Sequence, residues 1–156
     1  EDGFQIGVLS SSGKGEALAE KLGGIGVTGS NQSSGDLKRL ADLALERWGR
    51  IDVLVNSAGH GPRAPILEIT DEQWRAGMDV YLMNVIRAAR IVTPAMQARK
   101  SGVIINISTA WAFEPSAMFP TSAVFRAGLA DINARLQADG SAVHFCMPEI
   151  VRPGAM

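Results

Sequence analysis

Three stretches of this 156-residue sequence carry side chains suited to chemistry. The apolar run Ile51 to Val55 leads into Asn56-Ser57-Ala58-Gly59, a small-residue turn at which a bound group can approach the backbone. Ser10-Ser11-Ser12-Gly13-Lys14 gathers hydroxyls and a cation in one Ser/Gly turn. Ser122 and Arg126, at i and i+4, share a helix face. Arginine stays charged and donates to oxygen acceptors but cannot shuttle a proton, and the alkyl hydroxyl of a serine is a poor acid. Asn84 falls inside a helical stretch, where a buried amide needs partners. Tyr81, the only tyrosine, lies one turn before it, and packing is the first reading of so isolated a phenol. His60 reads as a solvated loop residue and His144 as structural, and no His, Cys, Asp or Glu spacing suggests a metal.

The segments that must position these residues alternate apolar runs with helix-period stretches, the pattern of an α/β layered sheet. Phe4 to Leu9 reads as a strand, followed by a helix near Lys14 to Leu22 that Gly23-Gly24 stops. Ile25 to Gly29 is a second strand, weakened by its glycines. From Asp36 onward Leu37, Leu40, Ala41, Ala44, Leu45 and Trp48 recur at helical spacing, up to Gly49. Ile51 to Asn56 is a strand apolar enough to be covered on both faces. Thr70-Asp71-Glu72-Gln73 has the form of a capping box, with Ile69 and Trp74 placed as a hydrophobic staple. The helix it opens is expected to run toward Arg99, bent at Gly77 and disturbed at Pro94. Val103 to Ser108 is a doubly buried strand, Ser122 to Ala138 a helix, and Ala142 to Met147 a last strand. The expected fold is a single α/β domain over residues 1–156, a Rossmann-like doubly wound parallel sheet with helices on both faces.

A net charge of −1, with both signs interspersed, argues against nucleic acid and against a membrane surface as partners. The lone Cys146 excludes an internal disulfide and fits a reducing compartment. No apolar run approaches the roughly 18 residues of a spanning helix, and Glu1-Asp2-Gly3 is unlike a signal peptide, so a cytoplasmic protein is expected.

Asn56-Ser57-Ala58-Gly59 resembles the Asn-Asn-Ala-Gly strand end of the short-chain dehydrogenases/reductases, with Ser57 at the second Asn. The stretch from Asn84 to Ser108 is similar to the same family. That resemblance offers two placements for Ser10 to Gly15. Either it is a degraded form of the family's glycine-rich loop, with Leu9 where the first glycine is required, or Phe4 to Leu9 is the family's second strand. The second keeps the spacing to Asn56 and is preferred. It implies a domain incomplete at both ends, lacking the first strand with its glycine loop and the final helix and strand.

The resemblance further implies an oxidoreductase that moves a hydride between NADP(H) and a carbonyl or secondary alcohol on a small molecule. Ser10, Ser11 and Lys14, with no carboxylate before Glu16, favour NADP(H) over NAD(H). Asn31 would reach the adenine, and Asn56, Ala58, Gly59 and Pro148 would line the cofactor, although Glu149 replaces the Gly that follows that Pro in the family. Asn84 matches the family's relay Asn, and Thr109 its substrate-orienting Ser. Ser122 and Arg126 stand where the family has its Tyr and Lys. The other register, Thr121 and Phe125, holds no cation. Loss of the phenol puts about 10²–10⁴-fold of acid/base catalysis at risk, so a catalytically lapsed nucleotide-binding or protein-interaction member is the rival reading. Trp111, Phe113, Met118 and Phe119 would line an apolar substrate pocket or simply pack. Homodimers or homotetramers through the helices near Asp71 and Ser122 complete the implied picture.

Overall fold

Two sets of parallel strands, rather than one continuous sheet, organise the chain. The computed structural model describes residues 3–57, 59–138 and 143–146, with side chains up to residue 135. Its elements are β1 (Gly7–Ser10), α1 (Gly13–Lys21), β2 (Ile25–Thr28), α2 (Ser34–Trp48), β3 (Val53–Ser57), α3 (Asp71–Met78), α4 (Asn84–Ala98), β4 (Gly102–Ile107), α5 (Pro120–Ala138) and β5 (Val143–Cys146). β1 pairs with β2, and β3, β4 and β5 pair in that order, every pairing parallel. No ladder joins β1 to β3, so a gap separates the two sheets.

Helices cover the sheets unevenly. α1 packs on β1 and β2, while α2 reaches β1, β2 and α4, and α4 and α5 cover β3, β4 and β5. A small core gathers Ala41 of α2, Val92 and Met96 of α4 and Ile104 of β4, with Ile51 and Leu54 against it. The opposite side of β3 and β4 has no helix among the described residues, which leaves Val53, Val55 and Ile107 exposed.

Local sequence explains most boundaries. Ser33 caps α2 by accepting from the Asp36 N–H at 3.2 Å, which starts that helix earlier than the apolar spacing alone indicates. The Thr70/Gln73 capping box forms in both directions and opens α3. Pro120 opens α5 two residues ahead of the expected Ser122, since a first-turn position has no use for the missing N–H. β1 begins at Gly7, not Phe4, because the ladder with β2 begins at Gly7 opposite Ile25 and the other edge of Phe4 to Ile6 faces the gap.

The long helix expected from Asp71 to Arg99 is interrupted at a different place. Residues Asp79–Met83 form a π turn between α3 and α4, and Pro94 lies inside α4 without ending it. Gly77 serves packing instead of bending. A Cβ there would lie 2.6 Å from Thr121 Cβ, so its bare backbone lets α3 and α5 approach.

Candidate cofactor and catalytic site

The gap between β1 and β3 is a cavity of about 1370 Å³, floored by α2 and α4. At one end it is rimmed by Ser10 at the end of β1 and Ser11 beyond it, Asn31 beyond β2, Asn56 in β3 and Gly59 beyond it, with Asn84 beside them. All three strands present their carboxyl ends there. Open α/β sheets bind ligands outside those ends, where the connections diverge to opposite faces, and α1 and α2 diverge in this way. Among the described residues Asp52 is the one carboxylate on the cavity wall, and it lies just before β3, away from this rim.

Asn84 owes its position to the π turn. Its N–H donates to the Asp79 carbonyl, five residues back, and its Oδ1 accepts from the Val85 N–H at 2.7 Å. An ion pair between Arg87 and Asp79 spans the same turn. π turns inside α-helices rotate the register by a fraction of a turn and gather at functional sites. The helical spacing of the sequence gave no sign of this one.

A second polar unit went unread in the sequence. Asn56 Nδ2 donates to Asn106 Oδ1 at 2.8 Å, and Asn106 Nδ2 donates to Asn133 Oδ1 at 3.4 Å. Asn56 and Asn106 are register partners in β3 and β4, and all three residues are buried. The available signal was an amide inside each of two otherwise apolar strands, where polar groups must pair.

Arg126 is buried, 6% exposed, on α5. Its Nη1 donates to the Ile107 carbonyl at 2.8 Å, and its Cζ lies 4.9 Å from the Tyr81 ring centre. Burial pulls the guanidinium below its ordinary pKa, opposed by the attraction of Tyr81. Arg126 forms no ion pair among the described residues, and its Nε is buried without a hydrogen-bond partner there. The Ser108 and Thr109 hydroxyls that follow Ile107 are likewise buried and unpartnered. This end of the site therefore holds one cation and two hydroxyls with donor capacity to spare. Ser122 is buried on the same helix.

Tyr81 is engaged structurally. Its Oη accepts from the Gly61 N–H at 2.6 Å, and a Cβ on Gly61 would stand 2.6 Å from its ring. Thr121 and Phe125 also do structural work. Thr121 Oγ1 donates to the Pro62 carbonyl at 3.4 Å, and Phe125 packs edge-on against Trp74 at 5.9 Å. Trp111 stacks on Phe119 at 4.1 Å with Arg63 over the other ring at 5.0 Å, whereas Phe113 is exposed. Lys14 is exposed in the first turn of α1 and does not line the cavity, and Arg126, Thr109 and Ser122 also lie off its wall. Ala58, Pro148 and Glu149 fall outside the described residues.

No group of three or more His, Cys, Asp or Glu side chains is placed to hold a metal among the described residues. The same residues contain no helix long and apolar enough to cross a membrane.

Comparison with known proteins agrees with this arrangement. A family model for short chain dehydrogenases matches residues 1–150. The 3-oxoacyl-(acyl-carrier-protein) reductase of Staphylococcus epidermidis is 30% identical over 116 residues, covering 70% of this chain and 48% of that protein. Coverage of other curated relatives runs from 29% to 66% of their length, so the chain spans about half of what it matches. Among solved structures, a short-chain dehydrogenase from Streptomyces avermitilis superposes with a TM-score of 0.83 at 21% identity, over 98% of this chain and 60% of that one. The L-sorbose reductase of Gluconobacter frateurii, solved with NADPH and L-sorbose, superposes with a TM-score of 0.77 at 25% identity, over 89% and 56%. The parallel strands, their crossover helices and the C-terminal rim are thus Rossmann-like, and the chain belongs to the short chain dehydrogenase family.

Proposed function

We propose that the chain is the cofactor-binding and catalytic part of an NADP(H)-dependent reductase acting on a carbonyl or secondary alcohol of a small molecule. The observation that carries this reading is the cavity rim: hydroxyls and amides from three strand ends converge there, with no carboxylate among the described residues of that rim. A carboxylate at that place would favour the ribose 2′-hydroxyl of NAD, whereas hydroxyl donors favour a 2′-phosphate. When bound, the nicotinamide supplies the hydride.

The chain's own residues have separable tasks. Ser10 and Ser11 would donate to the 2′-phosphate with Lys14 as the nearest cation of that turn, and Asn31 would bond the adenine. Asn56, Ala58, Gly59 and Pro148 would line the cofactor. Thr109 would orient the substrate oxygen with its free hydroxyl, and the unpartnered Nε of Arg126 would hold a ribose hydroxyl. Asn84, fixed by the π turn, would anchor the proton relay. Ser122 would have to deliver the proton as an alcohol, which limits the rate. The exposed apolar Val124 and Ile132 of α5 and Met78 of α3 support assembly into a homodimer or homotetramer through those helices. A cytoplasmic setting goes with this reading, supported by the lone Cys146, which fits a reducing compartment.

The second reading, nucleotide binding without turnover, is favoured by one observation: the only tyrosine, Tyr81, is engaged with Gly61. A panel of aldehydes and ketones with NADPH separates the two. Turnover abolished by Arg126→Ala and reduced at least about tenfold by Ser122→Ala supports the reductase. Saturable NADPH binding with no turnover supports the lapsed member, and turnover indifferent to both substitutions contradicts the residue assignment.

A further inference from the structure

We propose that Arg63 is the substrate-specificity residue of the site, and that it selects a carbonyl compound carrying a carboxylate, an oxo acid. The inference rests on the reductase reading above and names its substrate class. Arg63 lies in the connection from β3 to α3, and its Cζ stands 5.0 Å from the ring centre of Phe119, in the connection from β4 to α5. β3 and β4 are parallel neighbours, so both connections leave the carboxyl-end face on which such sheets bind ligands.

Two contacts tie this pair to the reacting end of the site. Thr121 Oγ1 donates to the carbonyl of Pro62, the residue before Arg63, at 3.4 Å, and Thr121 precedes Ser122 on α5. Trp111, stacked on Phe119 at 4.1 Å, belongs to the short helical turn Ala110–Ala112 that follows Thr109, whose carbonyl accepts from the Ala112 N–H at 3.1 Å. A substrate would thus meet the free Thr109 hydroxyl with its carbonyl oxygen and Arg63 with its charge.

Three arginines stand over aromatic rings among the described residues, and they differ in what their N–H groups do. Arg47, over Trp48, donates to the carbonyls of Gly23 and Gly24, and Arg126, over Tyr81, donates to that of Ile107. Arg63 is exposed and has no hydrogen-bond or ion-pair partner among the described residues. The ring attracts its charge and restrains it, yet consumes none of its N–H donors. A guanidinium restrained in this way is prepared for the two parallel bonds that a carboxylate accepts. Arg90 is also unpartnered among the described residues, but it stands exposed on α4 with no ring behind it.

Charge favours a carboxylate over a phosphate ester. Arg63 is the only Lys or Arg in either connection, which also carry Glu68 and Glu114. One cation matches a monoanion, whereas a dianion would face two carboxylates with a single cation to offset them.

The test uses the 156-residue chain, straight-chain oxo acids that differ in the separation of ketone and carboxylate, and the methyl ester of each. Binding is read from the Arg63 Nε–H signal of ¹⁵N-labelled protein, and turnover with NADPH from kcat/KM. At least one acid is expected to shift the Arg63 signal saturably where its ester does not. In turnover that acid should be preferred over its ester by about tenfold or more, through a lower KM, as a charge-assisted bond implies. Arg63→Gln should abolish the preference, and Arg63→Lys should keep part of it, because the charge remains without the fork. Both changes are at an exposed position, so the folded core is not at stake. Equal binding of acid and ester overturns the proposal, as does a preference that survives Arg63→Gln. An Arg63 signal that no acid moves also overturns it and leaves Arg63 as a cap on the aromatic stack. Acid-specific binding at Arg63 without any turnover supports the carboxylate site and counts against the reductase reading alone.

Discussion

Arg126 is legible as a cation on the helix face of Ser122, but its burial, its bond to Ile107 and its contact with Tyr81 are properties of packing. Spacing placed Ser122 and Arg126 on one helix face and could not say which groups would meet them. The asparagine chain was less visible, since Asn106 and Asn133 are far apart in sequence and become neighbours only when β3, β4 and α5 assemble. Asn106→Ala would leave the Asn56 amide and the Asn133 carbonyl buried without partners. It is expected to cost about 1–3 kcal/mol, read from the shift in a urea denaturation midpoint. Asp52 gives a pH prediction. Hydrogen bonds from Arg50 and then Arg99 hold its carboxyl below the ordinary range. A folded value below the unfolded one means that its stabilisation is complete above about pH 3.9 and disappears as pH falls through the lower, folded value. Asp52→Asn should therefore lower the midpoint at neutral pH and leave it unchanged in strong acid, a difference that denaturation at the two pH values measures.

Among the elements, helix starts were written most clearly. The Thr70 capping box and the stripe from Leu37 to Trp48 both correspond to observed helices, because capping and amphipathic spacing are local properties. The π turn at Asp79–Met83 was not legible. It accompanies the packing of α3 and of the π turn itself against α5, a long-range relation that no window of sequence contains. Gly77 marks the same fit. Gly77→Ala gains about 1 kcal/mol in helix propensity, but its Cβ would collide with Thr121 and overpacking costs about 1–3 kcal/mol. The closest contact is with the Thr121 Cβ, which no side-chain rotation moves, so a net loss of stability is expected, with a lowered thermal midpoint as the measure.

For the whole molecule, alternation of strands and helices was enough to indicate a parallel α/β fold with its ligand face at the strand ends. The division into two sheets was not evident strand by strand, because a gap is a relation between β1 and β3 and leaves each strand's own pattern intact. At the site, Ser10, Asn31, Asn56 and Asn84 come from distant parts of the chain and share one rim at the carboxyl ends of the strands. Binding of a phosphorylated dinucleotide at this rim, as proposed above, is read from side-chain amide signals. In a titration of ¹⁵N-labelled protein with NADPH, saturable shifts of the Asn31, Asn56 and Asn84 side-chain amides are expected, at lower concentration than with NADH. Shifts that are absent, or confined to residues away from the rim, would contradict it.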